Sequence, residues 1–248
     1  MRKQSIYSEN NLWYDHNVMA EMGGEIPGHK FKRAIKRAID LFVCVSALFL
    51  LFPVIIICGI AIKLDSKGPA LYRHKRIGQG NRPFELLKFR SMISNGDDSS
   101  YMDYLKELIE SESNGDKKGL PYRKMSEDER VTRVGRCLRN YYLDEIPQVF
   151  NVIKGDMSLV GPRPHVQFEV DNYTEDQHRR LLVKPGITGL WQVEGKADCT
   201  FSELLQLDLD YIDNWNLMLD IRILINTILL IIRGGENFWT RKQKVIPN

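Results

Sequence analysis

Residues 41–62, LFVCVSALFLLFPVIIICGIAI, are 22 consecutive positions without a charge. As a helix such a run reaches about 33 Å, one hydrocarbon core of a bilayer. It begins too late and is followed by too many cations to be a cleaved signal peptide. The plain alternative is a helix buried on all sides in a soluble core. Lys30, Lys32, Arg33, Lys36 and Arg37 precede the run, and Lys63, Lys67, Arg73, Lys75 and Arg76 follow it. With positive flanks on both sides, the positive-inside rule has no asymmetry to act on. Pro53, near the middle, removes a backbone donor and is expected to kink or break the helix. A helix that enters, bends at Phe52-Pro53 and leaves by the same face satisfies both observations; a true span is the rival.

A second apolar stretch, 217–233, is interrupted by Asp220, Arg222 and Asn226. These polar positions argue against a span. They leave two readings open, an amphipathic helix on a membrane surface or a core helix.

Charge is segregated along the chain. Residues 30–90 carry thirteen Lys/Arg against three acids, which suits an anionic partner such as lipid headgroups, phosphates or nucleic acid. Residues 97–116 carry seven acids against Lys106 alone and read as a solvated face. Cys44, Cys58, Cys137 and Cys199 have no metal-type spacing, which fits a reducing compartment.

The 248 residues divide by pattern into a flexible lead-in (1–29), the membrane helix (30–64), a cytosolic domain (65–235) with an acidic insertion at 95–128, and a C-terminal tail (236–248). ALYRHKRIG and FELLKFRSM read as two short strands joined through Gly78-Gln79-Gly80-Asn81. YMDYLKELIESES reads as a short exposed helix, and 199–213 and 216–233 as helices. The expected fold is α+β and mainly helical: a monotopic membrane protein with a re-entrant helix broken at Pro53, amphipathic interfacial helices and a small β element.

The chemistry concentrates around LDEIPQ, 143–148. Asp144 and Glu145 are adjacent, so on a helix they point about 100° apart and cannot both face one target. A bland reading makes Asp144 an N-cap, Glu145 a first-turn acid and Pro147 a tolerated early proline. The neighbours favour more. Arg133, Arg136 and Arg139 recur every three residues upstream. Downstream, Arg163 sits between Pro162 and Pro164, which fix their own φ and stiffen its mount. A planar guanidinium held so suits phosphate oxygens, and Lys88 and Arg90 are further candidates. Two ionised acids among such cations fit phosphoryl transfer, one attacking phosphorus and the other holding Mg²⁺.

KFRSM (88–92), RVTRVGRCLR (130–139), LDEIPQVFNVIKGDMSLVGPRPH (143–165), KPGITGLWQVEGKAD (184–198) and LDLDYIDNWNLMLDIRILINTI (207–228) together resemble the bacterial sugar transferases, the monotopic polyprenyl-phosphate phosphoglycosyl transferases. The resemblance covers roughly 31–235. It implies transfer of a sugar-1-phosphate from a UDP-sugar to undecaprenyl phosphate with release of UMP, on the cytoplasmic face of the bacterial inner membrane, as a first step of exopolysaccharide assembly. It implies Asp144 as nucleophile, Glu145 as Mg²⁺ ligand, Lys88, Arg139 and Arg163 at the phosphates, Asp208 as a site-adjacent acid and Pro53 as the membrane break. UDP-glucose or UDP-galactose is the donor expected from the exopolysaccharide-type members, and a homo-oligomer is left open. Longer members carry a multi-span N-terminal domain for which this sequence has no room. Many relatives place a Ser where Tyr142 stands. Two rivals remain: a membrane-bound scaffold that keeps the fold without catalysis, and a peripheral nucleic-acid binder, which explains neither the apolar run nor the acids.

Overall fold

The computed structural model describes residues 30–93, 99–113, 130–195 and 199–232. The lead-in 1–29, the tail 236–248 and positions 95–98 and 114–128 of the acidic insertion lie outside the described residues.

The apolar run lies within one helix, α1 (Lys30–Asp65), about 54 Å long at 1.5 Å per residue. Among the described residues it is the one helix long and apolar enough to cross a membrane, and 11% of its apolar window is buried. That excludes a helix enclosed by a soluble core. A stripe of Cys44, Leu48, Ile55, Cys58 and Ile62, spaced for one helix face, packs on the rest of the fold. Phe42, Phe49, Leu50, Phe52, Ile57 and Leu64 stay exposed. Pro53 sits inside the helix, which is not interrupted there. The missing donor and displaced carbonyl of one proline are absorbed as a local defect when the flanking turns remain bonded.

Both ends of α1 are fastened to the same globular body. Near its start, Arg37 donates to the Val152 and Ile153 carbonyls at 2.6 and 2.9 Å, and Asp40 accepts from Ser158 Oγ at 2.8 Å. Lys36 bridges the Val160 carbonyl (3.0 Å) and Asp220 (2.8 Å). At its end, Arg90 Nη2 donates to the Ser66 carbonyl at 2.7 Å, and Asp65 accepts from the Val134 backbone N–H at 3.0 Å.

After α1 the chain forms an antiparallel hairpin, β1 (Leu71–Ile77) with β2 (Pro83–Phe89), in register from Leu71↔Phe89 to Ile77↔Pro83. The turn is closed by Gly80 and Asn81, both at positive φ. The expected strand pair is therefore present almost to the residue. Helix α2 (Ser99–Ser113) follows. It differs from the exposed helix expected there: Leu105 and Leu108 are fully buried in a cluster with Leu204 and Leu205. Their i, i+3 spacing gives the acidic segment an inward apolar edge.

Helix α3 (Arg133–Asn140) is capped by Thr132, whose hydroxyl accepts from the Gly135 N–H. It leads through a 3₁₀ turn (Leu143–Glu145) into α4 (Gln148–Lys154). A short parallel pair, β3 (Ser158–Val160) with β4 (Gly186–Thr188), brings distant chain segments together. Between these strands lie α5 (Gln167–Asp171) and a 3₁₀ segment (Asp176–Leu182), and α6 (Leu190–Glu194) follows β4. Helices α7 (Phe201–Asp213) and α8 (Leu217–Ile232) complete the described fold.

Helix α8 settles the open reading of the second apolar stretch by being two-faced. Asp220 and Ile223 point into the body, where Asp220 accepts from Tyr211 (2.8 Å), Trp215 (3.2 Å) and Lys36. Met218, Ile221, Ile225, Ile228 and Ile232, at steps of three and four, form an exposed apolar stripe on the outside.

Candidate active site

The Asp144–Glu145 pair lies in the 3₁₀ turn between α3 and α4, not at a helix N-terminus. Helix α4 starts only at Gln148, with Pro147 before it and no side-chain capping bond. The turn is entered through Tyr142, held at φ 56°, ψ 17°. A tyrosine in the left-handed region costs roughly 1–2 kcal/mol, so the surrounding structure enforces this conformation. Its effect is to end α3 abruptly and aim the two acids differently. Asp144 is 4% exposed, whereas Glu145 faces an open cleft of about 260 Å³. That cleft is open to solvent, so the figure is the space around its mouth as well as within it; there Glu145 Oε1 pairs with Lys88 Nζ at 3.0 Å.

Lys88 reaches the cleft from β2, while Arg76, on the adjacent strand, and Arg163 line it from other sides. The amides Gln148 and Gln192 complete its polar lining. His74, also on β1, lies within the field of these cations. Burial and the Arg76, Lys88 and Arg163 charges push its pKa down to about 3, so it is neutral and accepts from Arg76 Nη2 at 3.2 Å.

The mount of Arg163 goes beyond its two prolines. Four successive carbonyls are each held by another part of the fold. Pro162 accepts from the Gly186 N–H (2.8 Å), Arg163 from Arg180 (2.9 Å), Pro164 from Arg76 (3.4 Å) and His165 from the Ile77 N–H (2.9 Å). The guanidinium of Arg163 lies 5.9 Å from the centre of the Trp191 ring. Such close approach of β4 requires glycine: a Cβ on Gly186 would fall 2.1 Å from the Gly161 nitrogen, and one on Gly161 2.4 Å from the Lys184 carbonyl.

Behind this loop is a buried ionic network. Arg180 donates to Asp208 Oδ2 from Nε at 3.0 Å and from Nη2 at 2.5 Å, with both side chains essentially inaccessible. Arg180 also bonds Tyr173, whose hydroxyl donates to His165 Nδ1 at 2.7 Å. His165 is neutral, its pKa driven far down by burial and then by Arg180, Arg163 and Arg76. Burial pushes the Asp208 carboxyl up to about 6 against the opposing pull of Arg180 and the Arg163 backbone N–H. Removing one partner of such a pair leaves an uncompensated buried charge, costing about 3–5 kcal/mol.

The expected site residues therefore separate. Lys88, Glu145 and Arg163 converge on the cleft, with Asp144 directly beside it in the turn. Arg139 sits in the last turn of α3 and does not line the cleft. Arg90 does not line the cleft: it is 5% exposed and closes the end of α1 through Ser66 and Ile62. Asp208 is fully buried and is joined to the cleft through Arg180 and the Arg163 backbone. Sequence reasoning did not single out Gln148 and Gln192 as site residues. Their one sequence signal is position, three residues after Glu145 and one after Trp191.

An acidic pair beside a cation-lined cleft thus lies on a body that carries a long exposed apolar helix. The chain belongs to the bacterial sugar transferase family, whose model matches residues 31–234. It is 38% identical over 220 residues to the undecaprenyl-phosphate galactose phosphotransferase of Salmonella typhimurium, covering 89% of this chain and 45% of that protein. It is also 38% identical over 193 residues to the exopolysaccharide production protein ExoY of Sinorhizobium fredii, covering 78% and 83% of the two chains. Over 201 residues it is 37% identical to the UDP-glucose:undecaprenyl-phosphate glucose-1-phosphate transferase of Caulobacter vibrioides, covering 78% and 68%. The chain spans slightly under half the length of some of these relatives, such as the Salmonella protein.

Proposed function

We propose that this chain transfers a sugar-1-phosphate from a UDP-sugar, UDP-glucose or UDP-galactose, to undecaprenyl phosphate with release of UMP, and so initiates surface-glycan assembly. The observation that carries this reading is the meeting of Lys88, Glu145 and Arg163 in one cleft beside Asp144. The names of the relatives from Salmonella and Caulobacter support the substrate classes.

In the first half-reaction an Asp144 carboxylate oxygen attacks the β-phosphorus. The bond from that phosphorus to the bridging oxygen breaks, and UMP leaves with the electron pair. In the second, an oxygen of the lipid phosphate attacks the phosphosugar-aspartate and returns Asp144 as carboxylate. Arg163 and Lys88 offset the diphosphate charge that would otherwise repel the nucleophile.

The donor set fits Mg²⁺. No group of three or more acids, histidines or cysteines occurs among the described residues, and Mg²⁺ is commonly held by one or two carboxylates together with substrate phosphates. Glu145, with Asp144 beside it, is the residue that would hold it, and when bound the ion supplies charge neutralisation at the phosphates. The attachment of both ends of α1 to one body supports a helix held at one face of the membrane and not spanning it, because ends held by one folded body cannot lie on opposite sides of a bilayer. The outward stripe of α8 would then lie in the same interface, at the cytoplasmic face of the inner membrane.

The test is intact mass after incubation with UDP-glucose or UDP-galactose and no lipid. The expected result is an adduct of one sugar phosphate with one equivalent of UMP, absent in Asp144→Asn with an unchanged circular dichroism spectrum. An adduct on the Asn variant would remove Asp144 as nucleophile.

A further inference from the structure

Six polar side chains line the cleft, and four are charged: Arg76, Lys88, Glu145 and Arg163. Those four answer to phosphates and to one another. The remaining two, Gln148 and Gln192, are amides without such a task. Gln148 is 3% exposed and lines the cleft. Gln192 Oε1 is sealed from solvent with no donor against it; a Cβ on Gly189 would lie only 2.8 Å away, so that glycine leaves room for the amide. A buried amide without a partner opposes folding, and such groups persist where a ligand completes them.

The chemistry of the missing partner is restricted. An amide oxygen needs a donor, and phosphate oxygens at neutral pH are acceptors. The partner is therefore a hydroxyl or an N–H. The two amides meet only the part of a nucleotide-sugar that enters this cleft. That part is the one next to the reacting phosphorus, because Gln148 follows Glu145 by three residues and Gln192 adjoins Trp191, over which Arg163 lies. Hydroxyls are available there from two sources, the transferred sugar and the ribose. Resting on the transferase reading above, we propose that Gln192, with Gln148 beside it, hydrogen-bonds a hydroxyl of the nucleotide-sugar donor and fixes its orientation for attack.

The test pairs each glutamine with the hydroxyl it reads. Gln148→Met and Gln192→Met keep side-chain length while removing the amide. Release of the nucleoside monophosphate is measured: UMP from UDP-glucose and from analogues deoxygenated singly on the glucose ring, and deoxyuridine monophosphate from 2′-deoxy- and 3′-deoxyuridine diphosphate glucose. The expected result is a loss in kcat/KM of about 10- to 100-fold for the variants with UDP-glucose, and no further loss with the one analogue lacking the partnered hydroxyl. A ring-deoxy analogue behaving so places the amide at the transferred sugar; a ribose-deoxy analogue places it at the nucleoside. An equal loss with every donor overturns the proposal, as does a fall in Tm of more than about 5 °C, since a structural amide would give both. Wild-type protein that releases no UMP from any donor overturns the transferase reading and this one together.

Discussion

Lys88 and Glu145 come from segments 57 residues apart and meet at 3.0 Å across the cleft, one from the hairpin and one from the turn before α4. Both side chains are less than one-fifth exposed. The pair thus ties strand β2 to the acidic turn, and each partner fixes the position of the other.

If the two act as one unit, Lys88→Met and Glu145→Gln will each lower kcat/KM for UMP release by about 100-fold or more. The double variant will be little worse than the poorer single one, because the second substitution removes a group already displaced. Strict additivity would show that the two residues work independently. Glu145→Gln will also raise the Mg²⁺ concentration needed for half-maximal rate.

Asp208 gives a pH prediction. Its folded pKa, about 6, lies above the ordinary carboxylate value. Below pH 6 it gains a proton and Arg180 loses its counter-charge, which loosens the hold on the Arg163 backbone. Adduct formation with a UDP-sugar will therefore fall through an apparent pKa near 6. The donor itself, a diphosphate diester, does not titrate there. Since the folded state binds this proton more tightly than the unfolded chain, the group itself adds stability as pH falls from 6 towards 4. The rate thus falls without unfolding. Asp208→Asn will be slow at pH 7 and lack this limb; an unchanged acid limb in that variant would assign it elsewhere.

Arg90 provides the opposite contrast. Arg90→Met removes a buried guanidinium from the end of α1 and will cost about 1–3 kcal/mol of stability by chemical denaturation. The KM for UDP-sugar will stay at the wild-type value in whatever fraction folds. A selective rise in KM would return Arg90 to the phosphate site.

Gly186→Ala forces a methyl group against the Gly161 backbone. It will destabilise the fold by about 1–3 kcal/mol or more and lower the affinity for the nucleotide-sugar, because the displaced strand also holds the Pro162 carbonyl. Thermal unfolding and KM measured together check both parts.

The elements legible in the sequence are those with a local pattern. Alternation and the Gly-rich turn located the hairpin, and a capping box at Thr200 and Glu203 marks the start of α7, close to where periodicity placed it. The apolar run announced α1. What the sequence hid depends on partners far along the chain. Asp220 looked like a flaw in an apolar helix, yet its cation is Lys36, 184 residues away. Strands β3 and β4 are three residues each and pair in parallel across more than twenty intervening positions, so no short-range signal marks them. Asp208 and Arg90 were visible as charges, but charge alone does not tell a buried clamp from a ligand-binding group. Lys88, Glu145 and Arg163 were marked in the sequence by motif and charge, and the fold brings them to one cleft.

The double fastening of α1 bears on how this protein can be handled. A chain shortened to begin after residue 65 would lose Arg37, which closes the carboxyl end of α4, and Asp40, which bonds β3. It would also lose Lys36 from the Asp220 cluster and the Asp65 contact at the start of α3. Such a truncation would expose several buried polar groups at once, so detergent or nanodisc extraction of the full chain, and not removal of its anchor, is the route to a working soluble preparation. The apolar helix is a structural member of the body that carries the cleft.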